Sequence, residues 1–158
     1  LNKIDTLLDV FPDARIVHTH RDPIKVCASV ASITAMLRSA GSDGIDLHEI
    51  GRQQLDWWAK LVQQSLEQRR RFAGSREQFF DVRLRELVAD PLDVVHRMYG
   101  HFGYELSDEV DARMREFMET HQRDRHGSHT YTPEDFGIDP IRDREPFAEY
   151  IEHFGLQE

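Results

Sequence analysis

The junction at residues 16–29 constrains the fold more than any other segment of this chain. The run Arg15–His20 is short and rich in β-branched residues, which predicts a buried strand. Asp22 and Pro23 then supply an N-cap and a first-turn proline, so a helix is expected to begin where the strand ends. Open α/β sheets bind their ligands at this edge, so the segment is a candidate ligand site.

Two polar residues at this junction indicate an anion-binding site. Arg21 carries a permanent positive charge, and Ser29, seven residues after Asp22, returns to the same helical face with a hydroxyl. A phosphate is the ligand that suits this pair best. A plainer alternative stays open, in which Arg21 is an exposed residue at a helix start and Ser29 bonds to the carbonyl one turn earlier.

The composition limits the classes of function. With 158 residues, the chain has the size of a single domain, residues 1–158, and it has no apolar run of the roughly 20 residues that span a bilayer. The net charge of -9 argues against nucleic acid as a partner. The single cysteine, Cys27, cannot form an internal disulfide and is expected to be a buried small residue. A cytoplasmic location fits these features.

The remaining sequence predicts a helix-rich α/β fold. A second strand is expected over 78–83, and helices are expected over 1–11, 23–37, 46–72, 91–102, from 107 onwards and over 140–154. Three of these helices are expected to start at Asp46, Asp90 and Ser107, and the helix over 91–102 is expected to end at Gly103. Each of the two strands is followed by a helix, which predicts a parallel sheet. Because two strands rarely make a stable sheet alone, and because Leu1 lies inside a helical pattern, further strands are expected upstream of Leu1.

Apolar stripes on the predicted helices indicate which side chains form the core. One inward face is expected to contain Val110, Met114, Phe117 and Met118, and the pair Trp57-Trp58 is also assigned to the core. Further stripe positions on four helices are expected to face inward: Ile4, Leu7, Leu8 and Phe11; Ile24, Val26, Cys27, Val30, Ile33, Met36 and Leu37; Ile50, Leu55, Leu61, Val62 and Leu66; and Phe147, Tyr150, Ile151 and Phe154.

Three segments, residues 16–29, 80–91 and 125–127, together resemble the sulfotransferases that use 3′-phosphoadenosine-5′-phosphosulfate (PAPS), most closely their bacterial, mycobacterial-type branch. The first, residues 16–29, is similar to the family's 3′-phosphate motif. This resemblance implies that Arg21 and Ser29 hold the 3′-phosphate of the donor. The second, residues 80–91, resembles the family's second strand and the element after it, with Leu84 where many relatives carry a tyrosine.

The third segment is Arg125-His126-Gly127, which resembles the family's late Arg-Lys-Gly loop. In the family, the arginine and the backbone amides of this loop close over the same 3′-phosphate. The resemblance therefore adds Arg125, His126 and Gly127 to the donor-binding residues. His126 replaces a lysine, and an imidazole is only partly charged near neutral pH.

The resemblance also implies a fold and a reaction. The chain is expected to be the C-terminal part of a P-loop-like parallel sheet, in an enzyme that transfers a sulfuryl group from PAPS to a hydroxyl or amine of a small-molecule, glycan or lipid acceptor. No metal is expected. The phosphosulfate-binding loop and the catalytic histidine are expected upstream of Leu1, so this chain is expected to hold no catalytic residue and to be inactive alone. The sequence leaves the acceptor and the oligomeric state open.

Two alternative interpretations assign the chain a different kind of function. His18-x-His20 has the spacing of metal ligands on a strand, and His126-x-x-His129 would complete a set of four histidines. Alternatively, the chain is a catalytically silent remnant that binds nucleotide or a protein partner.

Overall fold

The computed structural model describes residues 3–72, 77–120 and 131–157, and within these ranges it is a helix-rich α/β chain. Two strands, β1 (Ile16–His20) and β2 (Phe79–Arg83), confirm the predicted strands to within one residue. The α-helices are α1 (Ile4–Val10), α2 (Pro23–Ser39), α3 (Leu47–Arg71), α4 (Leu84–Ala89), α5 (Pro91–Phe102), α6 (Asp108–Thr120) and α7 (Ala148–Phe154). Two 3-10 segments span Glu134–Phe136 and Arg142–Phe147. The predicted fold class is therefore confirmed.

The chain divides into two compact units. The first comprises Leu1–Pro12, Arg21–Gly74 and Tyr131–Glu158, and the second comprises Asp13–His20 and Ser75–Thr130. Each unit has its own cluster of buried apolar side chains. Since compact units can belong to one domain or to two, the single-domain assignment stays a prediction.

The first unit is built on the packing of α2 against α3. Its core is completed by side chains from the two 3-10 segments and α7, with Phe136, Ile138, Phe147 and Tyr150 all at 5% exposure or less. The predicted packing of the last helix through Phe147, Tyr150 and Ile151 is thus confirmed. This helix is shorter than expected, because its first part from Arg142 is a 3-10 segment that contains Pro146.

The second unit contains the sheet. β1 and β2 pair in parallel, as expected for strands separated by helices, with Ile16 opposite Phe79 and His20 opposite Arg83. The buried side chains of Phe80, Val82, Val94 and Phe102 form the core of this unit, where α5 packs on β2.

Side-chain caps fix the helix starts, as the sequence predicted. The carboxylates of Asp22, Asp46 and Asp90 each accept a backbone N–H of the first turn of their helix, and the Ser107 hydroxyl does the same for α6. Gly103, in the left-handed region at φ 67°, ends α5 as expected. The short helix α4 was not predicted, because its six residues make fewer than two helical turns and are too few to show a period.

The expected core assignments were partly wrong. No residue of α6 is buried, and Phe117 is 57% exposed. The apolar stripe of α6 is real, but burial needs a facing surface, and α5 and α6 leave between them an open apolar groove of about 310 Å³. Other residues assigned to the core are exposed or only half-buried, namely Leu7, Phe11, Val30, Ile33, Met36, Leu37 and Trp57. Trp58 packs against the core as predicted.

A search of the helices in the described ranges finds none with the length and apolar character to cross a membrane.

Candidate functional site

At the predicted anion site, two specific hydrogen bonds hold the carboxylate of Asp22 in place. One carboxylate oxygen accepts the backbone N–H of Ile24 at 2.9 Å, which caps α2. The other accepts a hydrogen bond from the Arg144 guanidinium at 2.6 Å, from a residue 122 positions away in the sequence. The Asp22 side chain is only 5% exposed, so its negative charge is held in place and neutralised by a specific cation. The sequence predicted the cap but gave no signal of Arg144.

The two predicted phosphate ligands lie on either side of this cap. Arg21 is exposed and directly precedes Asp22, while Ser29 is half-buried in the second turn of α2. In the described part of the chain, neither side chain makes a hydrogen bond or ion pair, so the structure does not join them to each other. The Ser29 bond to the carbonyl one turn earlier, which the plainer alternative required, is not formed. Among the residues that the structure describes, both side chains therefore keep their hydrogen-bonding capacity for a ligand.

The helix geometry sets the size of this site. Seven residues separate Asp22 from Ser29, which is about 10 Å along the helix axis at 1.5 Å per residue. Arg21 is long and flexible enough to extend along the side of α2 toward Ser29, whereas the serine hydroxyl is fixed near the backbone. The first-turn N–H groups and the positive end of the helix dipole lie at the same end of α2 and favour an anion there.

Cys27 lies on the buried side of the same helix. It has no exposed surface, and its burial, together with the negative charge of Asp22, raises the pKa of the thiol to about 12. The thiol therefore stays protonated near neutral pH and is not a nucleophile. This confirms that Cys27 is a buried small residue.

Arg125, His126 and Gly127 lie outside the described residues, so their predicted role remains untested. The chain that follows them is well anchored. Residues 134–138 pack on α3 so closely that the Cα of Gly51 lies directly under the Phe136 backbone, where a Cβ would come within 2.0 Å of the Phe136 carbonyl oxygen. Gly137 takes φ 67°, which allows the turn after this contact.

A second cluster of polar side chains lies on the sheet. His18 and His20 share a face of β1, and the His20 Nε2 is 2.9 Å from a carboxylate oxygen of Asp81 on β2. His20 is 1% exposed, so it is among the few buried polar residues of the described chain. The sequence pattern pointed to the two histidines but not to Asp81. The available signal was one acid in the otherwise apolar start of β2, which the parallel register places opposite His18.

The end of β2 carries a network of ion pairs. Glu86 accepts hydrogen bonds from Arg83 and from Arg97, the latter at 3.1 Å. Burial alone raises the pKa of Glu86, but the hydrogen bonds from Arg97 and Arg83 outweigh it and hold that pKa below its usual range. Leu84, which stands where the resembled family carries a tyrosine, is half-buried at the first position of α4. The network keeps the carboxylate ionised and α4 fixed to the end of the strand.

Three comparisons with known proteins bear on this arrangement. A model described as "Sulfotransferase family" matches residues 1–108. Omega-hydroxy-beta-dihydromenaquinone-9 sulfotransferase Stf3 of Mycobacterium bovis is 27% identical over 164 aligned residues, covering 97% of this chain and 38% of the relative, and the Mycobacterium tuberculosis protein of the same name matches equally.

Solved structures agree with these sequence matches. The crystal structure of sulfotransferase STF9 from Mycobacterium avium has a TM-score of 0.86 and 32% identity, covering 99% of this chain and 40% of that one. Sulfotransferase STF1 from Mycobacterium tuberculosis has a TM-score of 0.75 and 30% identity, covering 92% of this chain and 36% of that one. The chain thus spans about two fifths of the length of the relatives it matches, and the resemblance to mycobacterial-type sulfotransferases is confirmed.

Proposed function

This chain belongs to the sulfotransferase family, and we propose that it supplies the part of the donor site that binds the 3′-phosphate of PAPS. Arg21 provides the positive charge and Ser29 a hydroxyl donor. We further propose that Arg125, His126 and Gly127 add to the same phosphate site. The observation that carries the proposal is the capped start of α2, where Arg21 and Ser29 flank a buried, neutralised Asp22.

The pairing of Asp22 with Arg144 removes an electrostatic obstacle to this role. An unpaired carboxylate beside the site would repel a phosphate through the poorly screened interior of the protein. The 2.6 Å bond from Arg144 offsets that charge while leaving Arg21 without a protein carboxylate partner in the described residues. Within the described residues, Arg21 therefore supplies a positive charge that no carboxylate offsets, next to the helix N-terminus, which suits a dianionic ligand.

The reaction proposed for the whole protein is in-line transfer of a sulfuryl group from PAPS to an acceptor hydroxyl or amine. Such a transfer depends on positioning and on stabilising the charge of the leaving phosphate. Arg21 and Ser29 would hold the donor at the phosphate remote from the transferred group, so they are binding residues and not catalytic ones. The relatives named for omega-hydroxy-beta-dihydromenaquinone-9 make a hydroxyl the first acceptor group to test.

We propose that the 158-residue chain alone binds the donor product but does not transfer sulfate. Its sequence contains neither a glycine-rich lysine loop to hold the 5′-phosphosulfate nor any residue that the resemblance identifies as catalytic. A single-turnover assay with labelled PAPS and an alcohol acceptor is expected to give no sulfated product. Product formation would contradict the proposed inactivity and leave the binding role intact.

Calorimetry with adenosine 3′,5′-bisphosphate tests the binding role. A charge-assisted hydrogen bond contributes about 1.5 to 3 kcal/mol, so Arg21→Ala is expected to weaken binding roughly 10- to 150-fold. Ser29→Ala removes a neutral donor and is expected to weaken it roughly 2- to 10-fold. Adenosine 5′-monophosphate, which lacks the 3′-phosphate, is expected to bind the parent chain and Arg21→Ala equally weakly.

Arg38 is the matched control, because it is an arginine on the same helix at the opposite end, hydrogen-bonded to Gln53. Arg38→Ala is expected to bind the bisphosphate as tightly as the parent chain. Equal losses in the Arg21 and Arg38 variants would show that the effect is general electrostatics and would contradict a specific phosphate site. No binding by the parent chain would instead favour a silent remnant.

A further inference from the structure

The parallel register of β1 and β2 places three metal-ligating side chains together. His18 lies directly opposite Asp81, and His20 is two residues further along the same face of β1. One ligand atom from each of the three residues can be chosen so that all lie within 4.8 Å of one another. The sequence pattern had grouped the two histidines with His126 and His129 instead, and the family resemblance implied no metal.

The geometry of the cluster matches a small coordination site. The imidazole rings have centroids 4.1 Å apart and an interplanar angle of 47°, so they converge without stacking. The His20 Nε2 is 2.9 Å from the Asp81 carboxylate. Tetrahedral zinc with bonds of about 2.0 to 2.1 Å holds its ligand atoms roughly 3.3 Å apart, so movements on the order of an ångström would bring these three into place.

We propose that His18, His20 and Asp81 bind one divalent transition-metal ion of the zinc class, through two imidazole nitrogens and one carboxylate oxygen. Three protein ligands leave a fourth position for water or another small ligand. Two imidazoles select against magnesium and calcium, which take oxygen ligands. The ion would connect the two strands at a buried position and stabilise their pairing.

The burial of His20 and the partial exposure of Asp81 suit the binding of a divalent cation. His20 is 1% exposed, whereas the Asp81 side chain is 32% exposed and provides a route of entry from solvent. The carboxylate also supplies the negative charge that a divalent ion needs next to a buried imidazole. The inference stands on the strand register and does not rest on the proposed donor binding.

A second histidine–aspartate pair in the same unit serves as a natural control. His96 on α5 is 2.6 Å from Asp111 on α6, and its side chain is 42% exposed. This pair has the same two residue types at a similar distance, but among the described residues no third metal-ligating side chain converges with it. It separates metal binding by the three-residue cluster from metal binding by any histidine beside an acid.

The test is zinc titration of the 158-residue chain after removal of metals with a chelator. Calorimetry with Zn²⁺ is expected to give one equivalent per chain, and Co²⁺ is expected to give a visible absorption band typical of low coordination number. Asp81→Asn keeps an oxygen that can accept a bond from His20, and it is expected to weaken Zn²⁺ binding at least tenfold. His18→Asn is expected to do the same, and His96→Asn to change nothing.

Two further measurements keep the outcome decisive. Circular dichroism of each metal-free variant must match the parent chain; a variant that fails this check is replaced by the other ligand variant. His126→Asn and His129→Asn are expected to leave the affinity unchanged. The proposal would be overturned if the chain bound less than one equivalent of zinc, or if Mg²⁺ bound as strongly as Zn²⁺. It would also be overturned if zinc binding were insensitive to both His18→Asn and Asp81→Asn, or depended instead on His126 and His129.

Discussion

The contact between Gly51 and Phe136 allows a stability prediction with an unusual sign. Glycine in a helix interior is normally less stable than alanine by about 0.5 to 1 kcal/mol, so Gly→Ala is usually stabilising. In α3, however, the new Cβ of Gly51→Ala would lie 2.0 Å from the Phe136 carbonyl oxygen and 2.9 Å from its Cβ. The nearest obstacle is backbone, which no side-chain rotation can remove.

The size of the destabilisation by Gly51→Ala follows from the distance between the new Cβ and the Phe136 carbonyl oxygen. Ordinary contact begins at 3.4 Å, so the 134–138 segment and α3 must separate by about 1.4 Å. Because Phe136 is 5% exposed, the separation disturbs the core of its unit. Overpacking of this kind costs about 1 to 3 kcal/mol, and a backbone obstacle falls at the upper end of that range. After the gain in helix propensity, we expect Gly51→Ala to destabilise the chain by about 2 kcal/mol, which lowers Tm by roughly 4 to 8 °C.

Gly100 provides the matched control. It also lies within a helix, α5, but a Cβ there meets nothing within 4 Å. Gly100→Ala is therefore expected to leave stability unchanged or to raise it by up to about 1 kcal/mol. Urea denaturation followed by circular dichroism measures both variants against the parent chain. If Gly51→Ala proves as stable as Gly100→Ala, this result would contradict the close approach of α3 to the 134–138 segment.

Three further predictions concern ionisable groups. Asp22→Ala removes the cap of α2 and the partner of Arg144, and urea denaturation is expected to show a loss of about 2 kcal/mol; a double-mutant cycle with Arg144→Met that gives no coupling would contradict the ion pair. Cys27, with a thiol pKa of about 12, is expected to resist iodoacetamide at pH 8 in the native chain and to react once unfolded, as mass spectrometry would show; rapid native labelling would refute its burial. Glu86 has a lowered pKa, so its ionised form stabilises the fold above about pH 4.5 and this contribution is lost as the pH falls through the folded pKa. Glu86→Gln is accordingly expected to be less stable than the parent at neutral pH, with a difference that narrows in acid; a pH-independent difference would argue against the Arg83 and Arg97 pairing.

Local signals in the sequence predicted most of the secondary structure. The caps at Asp22, Asp46 and Asp90 act within three residues, and each predicted its helix start correctly. β1 and β2 were found because their apolar runs are short and bounded by turn residues. Their parallel pairing followed from the helices between them, since a parallel connection needs a long crossover.

Burial and long-range pairing were harder to predict. The apolar stripe on α6 shows that one side of the helix is apolar. Whether Phe117 is buried depends on a second surface that packs against this side, and the α6 sequence carries no information about that surface. Arg144 and Asp81 were missed for the same reason. Their partners, Asp22 and His20, lie 122 and 61 positions away, and no spacing rule links such residues. The resemblance predicted Arg21 and Ser29 as phosphate ligands but carried no information about the residues that hold them in place.

The residues that support Arg21 bear on the proposal that this flexible, exposed arginine belongs to a specific phosphate site. An arginine side chain loses about 2 kcal/mol of conformational entropy when it is fixed, so a phosphate gains most from it when the surrounding charges are already arranged. Asp22 fixes the start of α2, and Arg144 fixes Asp22 and cancels its charge. Arg144 itself belongs to the 3-10 segment whose Phe147 is buried in the core beside α2 and α3. Phosphate affinity at Arg21 is thus expected to depend on packing more than 100 residues away, and Arg144→Met is expected to weaken binding of the bisphosphate although it touches no ligand. Unchanged binding in Arg144→Met would show that Asp22 does not act on the site through its charge.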